Sequence, residues 1–92
     1  MIQSFKDAAT HALLVERRHR KFANIAGVAL RKLDQIEAAI ELSDIKEPPG
    51  NRLEPLKGAR SGQYSIRVND QYRICFEWKS DGAYEVEIAD YH

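Results

Sequence analysis

Gln63-Tyr64-Ser65-Ile66-Arg67-Val68-Asn69-Asp70-Gln71-Tyr72-Arg73-Ile74-Cys75-Phe76-Glu77-Trp78 changes character at every second residue. Tyr64, Ile66 and Val68 alternate with Gln63, Ser65 and Arg67, and Tyr72, Ile74, Phe76 and Trp78 alternate with Arg73, Cys75 and Glu77. Successive side chains of an extended chain point to opposite sides, so a period of two predicts two strands, each buried on one face. Asn69-Asp70-Gln71 between them is turn chemistry, and Asp81-Gly82 introduces a third run in which Tyr84, Val86 and Ile88 oppose Glu85 and Glu87. The expected product is an antiparallel meander whose apolar face carries Tyr64, Ile66, Ile74, Phe76, Val86 and Ile88. Tyr72 and Trp78 fall on the same side and are read as core residues rather than platforms for stacking bases. Arg67, Arg73, Cys75, Glu77, Glu85 and Glu87 fall on the other face, open to water. Cross-strand arginine–glutamate pairs there are ordinary and contribute a fraction of a kcal/mol each.

Upstream, Glu47-Pro48-Pro49-Gly50-Asn51 breaks regular structure, and before it the period becomes helical. Ile25, Ala29, Leu33, Ile36 and Ile40 recur at helical spacing, with Asn24 as the expected N-cap and Arg31, Lys32, Gln35 and Glu37 turned to water. A shorter helix is expected from Asp7 to about Arg18, with Asp7 in its first turn and Arg17 and Arg18 in its last, as the helix dipole prefers. Ile2 to Phe5 reads as a short strand. Helices followed by strands give an α+β fold, two N-terminal helices packed on one face of an antiparallel sheet. With no repeat, low-complexity tract or long linker, residues 1–92 form a single domain.

The 92 residues are 43% hydrophobic and 30% charged, and a domain of this size buries only about 60–65% of the surface its unfolded chain exposes. A partner that adds contacts is therefore expected. One cysteine, Cys75, allows no internal disulfide and no thiolate metal cluster, which suits a reducing compartment. The N-terminus lacks a basic segment followed by an apolar one, and no stretch approaches the ~20 apolar residues of a membrane span. The cytoplasm is the expected location, with no membrane partner. Net charge is zero, yet Arg52, Lys57, Arg60, Arg67 and Arg73 face only Glu54 and Asp70 in the stretch from 52 to 73, while 77 to 90 is mainly acidic. On charge alone this is a mixed, solvated surface. Glu16-Arg17-Arg18-His19-Arg20-Lys21 is basic enough to meet ribosomal RNA or an acidic partner, although a solvated helix end is its ordinary reading. His11 lies within the first helix as a surface or packing residue. The three histidines have no ligand spacing, and no metal is expected.

The stretch from Pro49 to Phe76 and the ending Glu87-Ile88-Ala89-Asp90-Tyr91-His92 together resemble the HigB group of the RelE-like superfamily of bacterial toxins. The similarity is carried by Leu53-x-x-Leu56-Lys57-Gly58-x-Arg60, Ser65-Ile66-x-Val68, Arg73-Ile74-x-Phe76 and the Asp90-Tyr91-His92 tail, in order and at the family's spacing. The first half agrees in length and pattern, so the resemblance spans the chain. It implies a RelE-like fold and a toxin of a type II toxin–antitoxin system, an endoribonuclease that cuts messenger RNA on the ribosome without a cofactor. It also implies a cognate HigA-type helix-turn-helix antitoxin as partner, with DNA reached only indirectly through the antitoxin complex.

Chemistry offers a separate check on those residues. Metal-free RNA cleavage needs a base for the 2′-hydroxyl, cationic donors for the pentavalent phosphate and an acid for the leaving 5′-oxygen. His92 titrates near neutrality and suits base or acid, Lys57 and Arg73 suit the phosphate, and Tyr91 suits a hydrogen bond or a base stack. Asp90 suits orientation of His92, and Arg60 and Arg67 are the expected RNA-binding cations. Alone, a terminal histidine is usually frayed, Lys57 before Gly58 is a turn residue and Arg73 is a sheet-face ion pair. One departure from the resemblance stands out: Glu54 occupies a position where related toxins can carry a histidine. Near the phosphate it either repels the scissile group, unless Lys57 or Arg73 neutralises it, or replaces the histidine as general base. Two other readings keep the scaffold: a ParE-like inhibitor of DNA gyrase, and a catalytically weakened antitoxin-binding regulatory module.

Overall fold

In a computed structural model, which describes residues 1–91, the period-two segments form a four-stranded antiparallel sheet in the order β1-β2-β3-β4. The strands are β1 (Glu54–Pro55), β2 (Gln63–Arg67), β3 (Tyr72–Lys79) and β4 (Gly82–Asp90). Ahead of them lie α1 (Ala8–Glu16), α2 (Ala26–Ala38) and the short α3 (Leu42–Lys46), with a 3₁₀ turn at Arg20–Phe22, and a second 3₁₀ turn at Gly58–Arg60 separates β1 from β2. The expected α+β class and the packing of helices on one sheet face are what the structure has. Ile66 pairs with Ile74 and Ile74 with Ile88, and these three join Leu13, Phe22, Leu33, Ile36, Phe76 and Val86 in the core beneath the helices. Tyr64, Tyr72 and Trp78 pack against its margin, as expected.

Several boundaries differ from the sequence reading, each for a local reason. Asp7 is the N-cap of α1 and not part of its first turn, its carboxylate accepting from the Thr10 amide at 3.1 Å. Arg17 ends α1 in the left-handed region (φ 64) and forms a two-pronged ion pair with Asp34 on α2, so the helix stops at Glu16. Ile25, not Asn24, sits at the N-cap of α2, where burial of its side chain anchors the first turn in place of a side-chain cap. The other end of α2 stops before Ile40, which is 84% exposed instead of joining the core. Asp44 accepts from the amides of Ile40 and Glu41 and completes a capping box that starts α3, a helix the periodicity did not announce.

On β4 the alternation is interrupted. Cys75 pairs with Glu87 and Glu77 with Tyr84, so Phe76 alone opposes both Glu85 and Val86, and Glu85 takes φ 53. This bulge moves Tyr84 off the side of Val86 and Ile88, whose parity it shares, and onto the Glu77 side, where its hydroxyl bonds Asp81 at 2.6 Å and Lys79 lies over its ring. Ala83 takes the inward place. Outside β4, Ile2 and Phe5 bridge Ala83 and Val86 in parallel, so the N-terminal segment covers part of the β4 edge. The approach is close enough that a Cβ on Gly82 would lie 1.9 Å from the Met1 carbonyl oxygen. Among the described residues no helix is long and apolar enough to cross a membrane.

Candidate active face

The sheet face turned away from the helices carries Glu54, Ser65, Cys75 and Glu87 in one row, since Glu54 pairs with Ser65, Ser65 with Cys75 and Cys75 with Glu87. Arg67, Arg73 and Ala89 form the next row. This face is not simply open: Ser65 and Cys75 are fully buried on it. Arg73 covers the first, its Nε donating to Ser65 Oγ at 2.7 Å, and Tyr91 covers the second, its hydroxyl lying 3.6 Å from Cys75 Sγ. Glu85, expected here, sits instead in the bulge.

Arg73 is the most constrained cation of the face. Its Nη2 donates to the Arg52 carbonyl at 2.8 Å and to the Ser65 carbonyl at 3.4 Å, and it faces the Glu54 carboxylate at 3.7 Å. Nη1 has no hydrogen-bond partner among the described residues and keeps two donors for an incoming anion. Two arginines directly opposite on adjacent strands repel, yet Arg67 and Arg73 are so placed. Asp70 offsets the charge of Arg67 and Glu54 that of Arg73. Arg60 is tied to Glu87 at 2.6 Å and to Gln63 at 3.2 Å, and its hydrogen bond to Glu87 raises its pKa further. Of the cations between 52 and 73, Arg60, Arg67 and Arg73 thus have carboxylate partners, in keeping with a mixed surface. Lys57 has no ion-pair partner among the described residues. It is exposed, at the N-cap of the Gly58–Arg60 turn, just beyond β1.

The sequence candidates converge unevenly. Glu54 and Arg73 are in contact, and Arg60 and Tyr91 reach the same face from the turn and the tail. Burial, aided by the Cys75 contact, pushes the Tyr91 phenol up, so the group stays protonated as a donor. Burial also pushes the Cys75 thiol up, against the opposing pull of the Tyr91 hydrogen bond and of Arg60. Asp90 accepts from Gln71 Nε2 at 3.1 Å. His92 lies outside the described residues. Among these residues no three of His, Cys, Asp and Glu are grouped as a metal site.

Two contributors escaped the sequence reading. Ser65 shares the parity of Arg67, a signal that was available, whereas the Arg52 carbonyl left no trace in side-chain pattern. Arg52 takes φ 48, a conformation that costs a non-glycine residue on the order of 1 kcal/mol and persists only where its surroundings enforce it.

A family model described as the RelE-like toxin of type II toxin–antitoxin system HigB matches residues 3–92. A protein of Vibrio cholerae serotype O1 named Toxin HigB-1 is 47% identical over 64 residues, 68% of this chain and 67% of that one. A Proteus vulgaris protein named Endoribonuclease HigB is 33% identical over 98 aligned positions that span both chains fully. Among solved structures, the YoeB–YefM complex from Staphylococcus aureus superposes with a TM-score of 0.59 at 18% identity, covering 100% of this chain and 98% of that one. At that identity the likeness shows the fold.

Proposed function

Since the chain belongs to the HigB family of RelE-like toxins of type II toxin–antitoxin systems, we propose that it is an endoribonuclease that cuts messenger RNA on the ribosome. The observation that carries this reading is Arg73, a guanidinium fixed by Ser65, Arg52 and Glu54 with Nη1 left for a phosphate oxygen.

The reaction is metal-free transesterification. A base removes the 2′-hydroxyl proton, the 2′-oxygen bonds to phosphorus, and the P–O5′ bond breaks as an acid protonates the leaving oxygen. The products are a 2′,3′-cyclic phosphate and a 5′-hydroxyl. Arg73 and Lys57 balance the charge of the pentavalent phosphate, a role worth about 10²–10³ in rate for one well-aimed donor. Tyr91, held protonated, donates a hydrogen bond to the phosphate or stacks on a base. His92 and Glu54 are the groups offered for proton transfer, with Asp90 orienting His92. The place of Glu54 beside Arg73 supports a counter-ion that a bound phosphate displaces. Arg60 and Arg67 follow the RNA backbone once their carboxylate partners yield. The partner that blocks the reaction is a HigA-type helix-turn-helix antitoxin, and DNA is met only through that complex. The site of action is the cytoplasm.

Inducible expression with mapping of mRNA 5′ ends in translating cells tests the reading, comparing the parent with His92→Ala and Lys57→Ala. New ends within translated frames are expected for the parent alone. Growth arrest with intact mRNA and DNA damage would favour gyrase inhibition instead. An intact transcriptome without arrest would favour a weakened regulatory module.

A further inference from the structure

A buried polar node lies beside the active face, and none of the steps above uses it. Lys32 on α2, expected in water, is only 6% exposed, and its Nζ donates to the Arg67 carbonyl at 2.5 Å and to the Gly50 carbonyl at 3.3 Å. Asn51, 1% exposed, donates through Nδ2 to Gln35 Oε1 on α2 and to the Ile45 carbonyl on α3, both at 2.9 Å. Its own carbonyl accepts from the Arg67 amide at 2.6 Å. Two helices and the end of β2 therefore clamp Gly50 and Asn51. The next residue is Arg52, held in its left-handed conformation with its carbonyl on Arg73.

Lys32 has no carboxylate partner among the described residues, and the charges that reach it, from Arg31, Arg67 and Arg73, are all positive. Burial first, and then those cations, lower its pKa. A buried ammonium among like charges is costly, and a methionine would fill a similar volume without that cost. The benefit lies in what the ammonium holds. We propose that Lys32 is a positioning residue for the Arg73 phosphate site, tying the turn that presents the Arg52 carbonyl to the end of β2 and so fixing the guanidinium between Arg52 and Ser65. The inference rests on the reading of Arg73 as the group that holds phosphate.

Lys32→Met and Lys32→Gln in the full chain test it with two readouts. The first is the NMR signal of the Arg73 Nε–H, identified by its loss in Arg73→Lys, which reports the seating of the guanidinium whatever the activity. The signal is expected to shift and to exchange faster with water in both variants, while the Ile74 and Phe76 amides stay in place. The second is cleavage of mRNA on programmed ribosomes, where kcat is expected to fall about tenfold from misplacement of the donor. KM is expected to stay within about twofold, since Lys32 does not reach the surface. A folded variant whose Arg73 signal and kcat match the parent would overturn the proposal. So would failure of both variants to fold, which would make Lys32 a residue of stability alone. If the parent cuts no RNA, the functional reading fails, and the Arg73 signal still decides whether Lys32 positions it.

Discussion

The inward and outward faces of β3 are made from alternate residues of one strand, yet they are held by different forces. Ile74 and Phe76 are fully buried under the helices, and their contribution is apolar contact that many side chains of similar volume would supply. Arg73 and Cys75 point the other way, and Cys75 is just as buried, but under a tyrosine hydroxyl and among arginines. Burial therefore does not separate the core face from the candidate active face. What separates them is whether the buried group is partnered by carbon or by a directed polar contact.

The contrast is broken most severely from the inside. Phe76→Ala should cost about 3–5 kcal/mol, through lost contacts and the cavity left behind. Thermal melting or urea titration would register it, with RNA cleavage lost only as the protein unfolds. On the outer face, Arg73→Ala should lower cleavage about 10²–10³-fold while the fold survives. A melting temperature that collapses along with the rate would erase the distinction between the faces.

Smaller changes sharpen it. Glu54→Gln removes the carboxylate facing Arg73 and should lower KM for programmed ribosomes about two- to fivefold, the size of an exposed ion pair. A loss in kcat of about a hundredfold would instead assign Glu54 as the general base. Cys75 provides a test by pH. Its folded-state pKa lies above the ordinary 9.0, so the stability it adds is fully present below 9.0 and is lost as pH rises through the raised value. Urea midpoints of the parent should fall relative to Cys75→Ala only above about pH 9. The smallest effect belongs to Arg17 and Asp34, half-exposed partners joining α1 to α2. Asp34→Asn should move the melting temperature least of all these variants and leave cleavage unchanged.

Much of this contrast was legible in the sequence because strand parity is a local property. The alternation from Gln63 to Trp78 assigned Ile66, Ile74 and Phe76 inward and Arg67, Arg73 and Cys75 outward, and the pairing of β2 with β3 is regular enough to preserve it. Parity failed at Tyr84, where one extra residue in β4 reverses the sides and no side-chain pattern announces a bulge. Periodicity failed at Lys32 and Ile40 for a related reason. The helical stripe marks which residues are apolar, but the Gly50 and Arg67 carbonyls that draw Lys32 inward come from distant segments, and the capping by Asp44 that frees Ile40 is a polar contact the apolar stripe does not register. The candidate site was legible as a set of residue types, and the contact of Arg73 with Glu54 brings two of them together. Its organisation around a backbone carbonyl at Arg52 was not, because φ and carbonyl direction are fixed by the folded turn.

The most direct measurement uses purified protein and ribosomes programmed with a defined mRNA, with chemical analysis of the new ends. Fragments carrying a 2′,3′-cyclic phosphate and a 5′-hydroxyl, formed in the presence of a chelator by the parent and about a hundredfold more slowly by Arg73→Ala, are the expected result. Intact mRNA, or fragments that carry a 5′-phosphate, would contradict it.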